Sequence, residues 1–163
     1  FKTKWHLIMN DNKSLQDIHA PKSICFGCGP MNENGLKIKS YKYKNGLRMN
    51  FHPKKEHQAF PGVLNGGIIG TLFDCHGNWT AAMSIFESNN EKKFPSTVTA
   101  FFEVQLLKPT PIDNKVEIFS QIVSSTKNKA KVQLKLFSEN AICAKSEGVF
   151  ISVKEGHPAY YRW

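Results

Sequence analysis

Residues 61–74, which read PGVLNGGIIGTLFD, decide the fold of this chain. Asn65 is a favoured N-cap residue, and from there to Phe86 nothing breaks a helix except glycines that tertiary contacts can tolerate. The pattern predicts one long buried helix that begins after a tight glycine turn. A single carboxylate, Asp74, lies about two turns inside it.

The predicted helix has two unlike faces on a 3.6-residue period. Small and weakly polar residues share one face, and bulky residues lie roughly opposite: Gly67, Gly70, Thr71, Asp74, Gly77, Asn78 and Ala81 against Ile69, Leu72, His76, Trp79 and Met83. An interior glycine costs roughly 0.5–1 kcal/mol relative to alanine. We therefore expect a second copy of the helix, a ligand, or both to approach this backbone closely.

Strand-like runs flank the helix. Before it, residues 36–41 and 47–51 alternate apolar and polar side chains around Asn45-Gly46, a strong hairpin signal. After it, runs over 97–107, 116–122, 132–136 and about 142–153 are joined by short polar turns, which favour an antiparallel meander. The economical arrangement is an α+β fold in which a long curved antiparallel sheet wraps around one central helix.

Length and composition limit the class of protein. With 163 residues, 40% of them apolar and 12% aromatic, the chain suits one globular domain. No apolar run reaches the roughly 18 residues of a membrane span, and residues 1–20 are too polar for a secretory signal. These features favour a cytoplasmic protein, although the chain opens at Phe1 rather than Met and a leading segment could be missing.

The formal net charge of +9 comes from scattered lysines, which is typical of a solvated surface. The alternative is a polyanionic partner, either nucleic acid or a phosphorylated small molecule, and the charge alone does not choose between them. A nucleic-acid-binding module is suggested only by this charge. The aromatic residues that an RNA-binding motif interleaves with basic ones are missing.

Of the four cysteines, two form the motif Cys25-x-x-Cys28, which suggests zinc or redox chemistry. Zinc needs two further ligands, and neither Cys75-His76 nor Cys143 shows a paired spacing. Redox motifs of this kind normally open a helix after a strand, whereas turns follow here. We interpret the motif as a structural turn that bears small buried thiols, and we predict no metal.

Six short motifs follow one another along the chain: Cys25-Phe26-Gly27-Cys28-Gly29, Asn32-x-x-Gly35-Leu36, His57-Gln58-x-Phe60-Pro61-Gly62, Asn65-Gly66-Gly67-(x)6-Asp74, Val98-Thr99-Ala100 and Leu107-Lys108-Pro109-x-Pro111. Their order and spacing resemble those of the hotdog-fold acyl-CoA thioesterases of the PaaI-like group. The resemblance covers roughly residues 24 to 153. It implies a single hotdog domain over 1–163, with an N-terminal extension (1–23), a core (24–153) and a C-terminal tail (154–163).

Members of that family hydrolyse acyl-CoA thioesters without metal or organic cofactor. They are dimers or dimers of dimers with active sites between subunits. The resemblance implies that this chain is a homodimer or homotetramer that binds and cleaves an acyl-CoA, with neither a nucleic acid nor a membrane as partner. Asp74 matches the family's catalytic carboxylate and would act as a general base on water or as a nucleophile on the acyl carbon.

The start of the helix is the predicted place for the thioester carbonyl. If Asn65 accepts hydrogen bonds from the amide of Gly67 or Ile68, the Gly66 amide is left free at the positive end of the helix. We expect the Gly66 and Gly67 amides to hold the carbonyl. Asn65 is also a candidate substrate-binding residue, together with His57 and Gln58, although these two suit a turn equally well.

Thr99 matches a position where the family often has Thr or Ser, which orients the water from the other subunit. Strict alternation places Thr99 on one face with Thr97, Glu103 and Gln105, so an ordinary polar strand face is the alternative. For Asp74 the alternative is a structural carboxylate that is bonded to backbone or to Thr71.

Two departures from the family pattern bear on activity. Many relatives have His-Gly-Gly where this chain has Asn65-Gly66-Gly67, and asparagine cannot carry a proton as histidine does. Many also follow the aspartate with a second acid, whereas Cys75 stands here. Both departures support the alternative of a hotdog protein that binds an acyl thioester without hydrolysing it.

Overall fold

The computed structural model describes residues 13–163, so the first twelve residues of the predicted N-terminal extension lie outside the described part. Its elements in chain order are α1 (Leu15–His19), β1 (Tyr41–Tyr43), β2 (Gly46–Phe51), a 3-10 turn (Lys55–His57), β3 (Gln58–Phe60), β4 (Val63–Leu64), α2 (Gly66–Asn89), β5 (Thr97–Leu106), β6 (Val116–Ser125), β7 (Lys129–Ser138) and β8 (Ala141–Ser152). Neither described helix is long and apolar enough to cross a membrane.

The main sheet has six strands in the order β1-β2-β6-β7-β8-β5, and all neighbouring pairs are antiparallel. The helix α2 lies on one face of this sheet and contacts β2, β5, β6, β7 and β8. Strands β3 and β4 form a separate ribbon directly before the helix. The predicted hotdog fold, a long antiparallel sheet around one central helix, is confirmed.

The N-terminus of α2 is set by Asn65, as predicted. Its side-chain Oδ1 accepts hydrogen bonds from the Gly67 amide at 2.7 Å and the Ile68 amide at 3.3 Å. Two of the amides that have no partner within the helix are thereby satisfied. The helix continues past the predicted end at Phe86 to Asn89, where Asn90 terminates it in the left-handed conformation with φ 51°.

The glycines of α2 have different neighbours. A Cβ atom added to Gly77 would lie 2.5 Å from Cζ of the buried Phe150 ring, so this glycine lets β8 approach the helix. At Gly67 the nearest atom would be the capping Asn65 Oδ1, whereas at Gly70 no atom of residues 13–163 lies within 4 Å of an added Cβ. The sheet thus explains the glycine at Gly77, and among the four glycines of α2 only Gly70 faces open space within the described part of the chain.

The predicted hairpin is present with a different turn. Its turn residues are Lys44, whose φ is 52°, and Asn45, and the first strand begins only at Tyr41. Gly46 lies in β2 instead. Glycine is required there because an added Cβ would lie 1.9 Å from the carbonyl oxygen of Ser120 in β6. Residues 36–40 are not a strand; their backbone bonds to the turn at 26–27.

Strand β5 contains an extra residue at Ala100 that alternation does not predict. Thr99 pairs with Phe150 of β8, which is buried, whereas Phe101 pairs with Val149. Paired residues of antiparallel strands point to the same face, and a bulge shifts the alternation by one. Thr99 therefore shares its helix-facing side with Phe102, Val104 and Leu106, and the prediction that it shares a face with Glu103 and Gln105 is wrong.

The C-terminal tail is anchored on the core. Trp163 packs against the fully buried Trp79 of α2, with ring centroids 4.4 Å apart, and its Nε1 donates to the Pro95 carbonyl at 2.7 Å. Arg162 Nη1 donates to the Thr97 carbonyl at 2.8 Å. These contacts bring a guanidinium group to the start of β5, close to the helix face that carries Asp74.

Candidate active site

Asp74 contacts the start of β5. The Thr99 hydroxyl of the same chain donates to Asp74 Oδ1 at 2.5 Å. The Thr71 hydroxyl, which the structural alternative would have paired with Asp74, donates to the Gly67 carbonyl at 3.0 Å instead. Asp74 is half-buried, and no other hydrogen bond to its carboxylate occurs in the described part of the chain.

The environment of Asp74 changes its acidity in opposing ways. Burial raises the pKa of Asp74, while the hydrogen bond from Thr99 and the positive charge of Arg162 lower it and the negative charge on Cys25 raises it. Burial outweighs the lowering contributions, so the pKa lies above its ordinary value. The carboxylate is therefore a stronger base than an exposed aspartate.

Asn78 orients Thr99. Its Nδ2 donates to Thr99 Oγ1 at 2.9 Å, and its Oδ1 accepts from the Thr97 hydroxyl at 2.7 Å. Because Asn78 supplies a hydrogen to Thr99 Oγ1, the single hydrogen of that hydroxyl is directed to Asp74. Sequence reasoning assigned Asn78 no role; the available signal was its position four residues after Asp74 on the same helix face.

The N-terminus of α2 offers one free amide rather than two. The Gly67 amide already donates to Asn65 at 2.7 Å. Within residues 13–163, no acceptor is bonded to the Gly66 amide, which lies at the positive end of the helix. The prediction that both amides hold the carbonyl is corrected, because the N-cap occupies the Gly67 amide and leaves Gly66.

His57 and Gln58 build the turn that precedes α2. Gln58 accepts from the Gly62 amide at 2.7 Å and donates to the Lys55 carbonyl at 2.8 Å. The His57 carbonyl accepts from the Asn65 amide at 2.8 Å. Both ends of the Gln58 amide are thus engaged within the turn. The contacts of these two residues position Asn65 and do not reach Asp74.

Strand β5 and the residue after it expose large apolar side chains on both faces of the sheet edge. The side chains of this apolar strip are Phe101, Phe102, Leu106 and Leu107, which are 54%, 39%, 58% and 46% exposed. Leu106 lies next to Gly66, since a Cβ added to that glycine would lie 3.1 Å from Leu106 Cδ1. β5 is also an edge strand of the main sheet. An apolar edge of this kind is typical of an interaction or ligand-binding surface.

Three thiols converge on the same helix. Cys25 Sγ lies 3.8 Å from Cys75 Sγ, and Cys28 Sγ lies within 4.8 Å of both. The fold therefore supplies Cys75 as a neighbour of the Cys25-x-x-Cys28 motif, which the spacing of the cysteines in the sequence did not indicate. Hydrogen bonding with Cys28 and then Cys75 lowers the pKa of Cys25, while the bond to Cys25 raises the pKa of Cys28 to about 11.

The chain is similar to solved thioesterase structures. A thioesterase superfamily protein from Shewanella loihica PV-4 is 31% identical, with 72% of this chain and 91% of that chain covered and a TM-score of 0.61. The PaaI protein from the phenylacetic acid degradation operon of E. coli is 11% identical over 73% and 81%, with a TM-score of 0.62. A hypothetical thioesterase protein with coenzyme A from Streptococcus pneumoniae TIGR4 is 14% identical over 71% and 85%, with a TM-score of 0.60. No family model and no curated protein matches the sequence.

Proposed function

This chain belongs to the thioesterase superfamily, and on that premise we propose that it hydrolyses the thioester bond of an acyl-CoA to a free acid and CoA. The observation that carries the proposal is the contact between Asp74 and Thr99. A half-buried carboxylate that keeps one oxygen free can accept a proton from water. The coenzyme A of the Streptococcus pneumoniae structure supports CoA as the carrier.

In the proposed mechanism Asp74 is the general base. Thr99 holds Oδ1, so Oδ2 takes the proton from a water whose oxygen forms a bond to the acyl carbon. The carbonyl oxygen becomes negative and accepts a hydrogen bond from the Gly66 amide, where the helix dipole stabilises it. The carbon–sulfur bond then breaks, and the CoA sulfur leaves with the electron pair and takes up the proton that Asp74 removed from the water, which returns Asp74 to its carboxylate form.

The proposed site needs two copies of the chain. Eight residues of α-helix separate the Gly66 and Asp74 Cα atoms by about 12 Å along the axis. Because the N–H groups at a helix N-terminus point outward along the axis, a carbonyl that is bound to Gly66 lies still farther from Asp74. A water held by Asp74 of the same chain then does not come within the roughly 3–3.5 Å of the acyl carbon that attack requires. A second α2 packed alongside in the opposite direction would bring its Gly66 to this Asp74. Asp74 and Thr99 then act from the same subunit, and the carbonyl-binding amide comes from the other.

The open surface at Gly70 and the apolar strip on β5 support this arrangement. No atom of residues 13–163 lies within 4 Å of a Cβ added at Gly70, which stands between Gly66 and Asp74 on the helix. Phe102 and Leu106 are partly exposed, at 39% and 58%, on the helix-facing side of β5. We assign this surface to the acyl group and to the second copy, because burial of exposed apolar area is the main driving force for both.

Binding without turnover is the second candidate function. Asn65 is occupied as the helix N-cap and cannot carry a proton. Cys75 is buried, and its hydrogen bonding with Cys25 and Cys28 together with burial raises its pKa, so it does not replace the missing acid. These two observations favour a protein that holds an acyl thioester without cleaving it.

Release of free thiol from a panel of short, long and aromatic acyl-CoAs, beside direct binding of the same compounds, separates the two functions. We expect at least one acyl-CoA to be hydrolysed with multiple turnovers, and the best substrate identifies the acyl class. If acyl-CoAs bind and none is hydrolysed, the hydrolase proposal is wrong and the binding protein takes its place.

A further inference from the structure

The turn that carries Cys25 and Cys28 packs directly on α2. Within it the Gly29 amide donates to the Cys25 carbonyl at 2.8 Å, which closes the turn and sets both thiols on one side. A Cβ added to Gly27 would lie 2.3 Å from Cys75 Sγ, so glycine at this position lets the turn touch the helix thiol. Two sulfurs from the turn and one from the helix therefore converge at a single point.

The sulfur positions match the coordination sphere of a small metal ion. Two thiolates that each bind a tetrahedral zinc at about 2.3 Å stand about 3.8 Å apart. Cys25 Sγ and Cys75 Sγ are 3.8 Å apart, and all three sulfurs lie within 4.8 Å of one another. No fourth histidine, cysteine or carboxylate of residues 13–163 joins the group. A fourth coordination position is left for water.

The chemistry of the three groups also suits a metal. Sulfur ligands prefer thiophilic ions, and an N–H group that donates to a ligand sulfur is a common outer partner in such sites. Trp79 Nε1 donates to Cys28 Sγ at 3.3 Å, and both residues are buried. Cys25 is half-buried, which gives an ion a route to the cluster.

We propose that Cys25, Cys28 and Cys75 form a binding site for a thiophilic metal ion, with Zn²⁺ as the expected occupant. Each thiol gives up its proton to solvent as its sulfur coordinates the ion. The bound ion ties the turn at 25–28 to the middle of α2. A disulfide would use two of the three sulfurs and leave the third without a function, so the convergence of all three favours a metal.

Zinc titration of the full chain tests this site directly. The protein is reduced, stripped of metal and titrated with Zn²⁺ in competition with a chromophoric chelator, and Co²⁺ is added to a second sample to reveal thiolate-to-metal charge-transfer absorption. We expect about one ion per chain and sulfur-to-cobalt absorption. Cys25→Ser and Cys75→Ser should each weaken zinc binding at least about tenfold.

Cys143→Ser is the matched control. Cys143 is buried in β8, where its thiol contacts the Ala141 carbonyl outside the cluster, so its loss should leave zinc binding unchanged. The proposal is overturned if the reduced wild-type chain takes up no Zn²⁺, or if Cys143→Ser weakens binding as much as Cys75→Ser. A Cys25–Cys75 disulfide in the isolated protein, with no zinc uptake after reduction, would make the cluster a redox pair. The wild-type titration decides the question even where a variant fails to fold.

Discussion

Asp74 receives its hydrogen bond from Thr99, and Thr99 receives one from Asn78, a buried residue of α2. The Thr97 hydroxyl donates to Asn78 Oδ1, so the Nδ2 of Asn78 is left to donate to Thr99 and the Thr99 hydroxyl is left to donate to Asp74. In the proposed mechanism the carboxylate is therefore held in one position before substrate arrives. Positioning of this kind lowers the barrier to proton transfer without binding the substrate itself.

Thr99→Val removes the donor to Asp74 and keeps the shape of the side chain. We expect kcat to fall about 10–100-fold with a smaller change in KM, because Thr99 acts on the carboxylate and not on the acyl group. Steady-state kinetics on the best acyl-CoA measures both constants. Thr99→Ser retains the hydroxyl and should keep activity within a few-fold. Equal loss in both variants would contradict the role of the hydroxyl.

His19 should make stability depend on pH. Burial and then the charge of Lys42 lower its pKa to about 4, and its ring stacks on Phe94 at 4.0 Å. In the unfolded chain the pKa is about 6.5, so between these two values the unfolded state binds more protons and the free energy of unfolding falls as pH is lowered. His19→Phe keeps the stacking and removes the titration. Urea denaturation at both ends of this pH window should show a smaller fall in the free energy of unfolding for the variant than for the wild-type chain. An equal fall would contradict the assignment of this pH dependence to His19.

At the scale of elements, α2 is a helix whose surroundings change along its length. Its first turns are open at Gly70, while its middle is enclosed by the sheet, the N-terminal segment and the tail. The middle therefore carries stability, and the first turns are available for function. This division explains the glycines on one face of α2: Gly77 lets the sheet pack closely, whereas Gly70 keeps the surface of the first turns open.

Gly77→Ala and Gly70→Ala form a matched pair. The added methyl group at Gly77 meets the buried Phe150 ring, and we expect a loss of about 1–3 kcal/mol in the free energy of unfolding. At Gly70 it meets no atom of residues 13–163, so the better helix propensity of alanine should raise the free energy of unfolding of the single chain by roughly 0.5–1 kcal/mol. Chemical denaturation measures both. If both variants lost the same free energy of unfolding, contact with the Phe150 ring would not be the cause of the loss in Gly77→Ala.

How well an element could be predicted depends on how local its cause is. The N-cap at Asn65 is a contact between neighbours in sequence, so the start of α2 was predictable. The bulge at Ala100 depends on the register of β5 against β8, so the side of the sheet to which Thr99 points could not be predicted from the sequence. Cys75 is fifty residues from Cys25. No spacing rule links thiols that only the packed fold brings together.

At the scale of the whole molecule, β5 is apolar and no strand of residues 13–163 pairs with its outer edge. Unpaired edge strands tend to pair with another chain, and the proposed site also needs a second copy. We predict that light scattering gives a mass of at least twice the chain mass of 18.5 kDa. Phe101→Glu places like charges along this edge and should shift the protein toward the monomer, with loss of activity.

Val123→Glu is the control for that variant. Val123 is 48% exposed and lies in β6, which is not at the edge of the sheet, so the substitution adds the same charge away from the proposed contact. It should leave both the mass and the activity unchanged. A fully active monomer would contradict the two-copy site, because Gly66 and Asp74 of one chain are about 12 Å apart along the helix.

The central claim, that Asp74 activates the hydrolytic water, is tested most directly by kcat/KM of Asp74→Asn on the best acyl-CoA. The control is Asp113→Asn, which changes an exposed aspartate in the same way. We predict that kcat/KM falls at least about a hundredfold for Asp74→Asn, with acyl-CoA affinity retained, and stays unchanged for Asp113→Asn. An Asp74→Asn protein that hydrolyses its substrate at the wild-type rate would contradict the account.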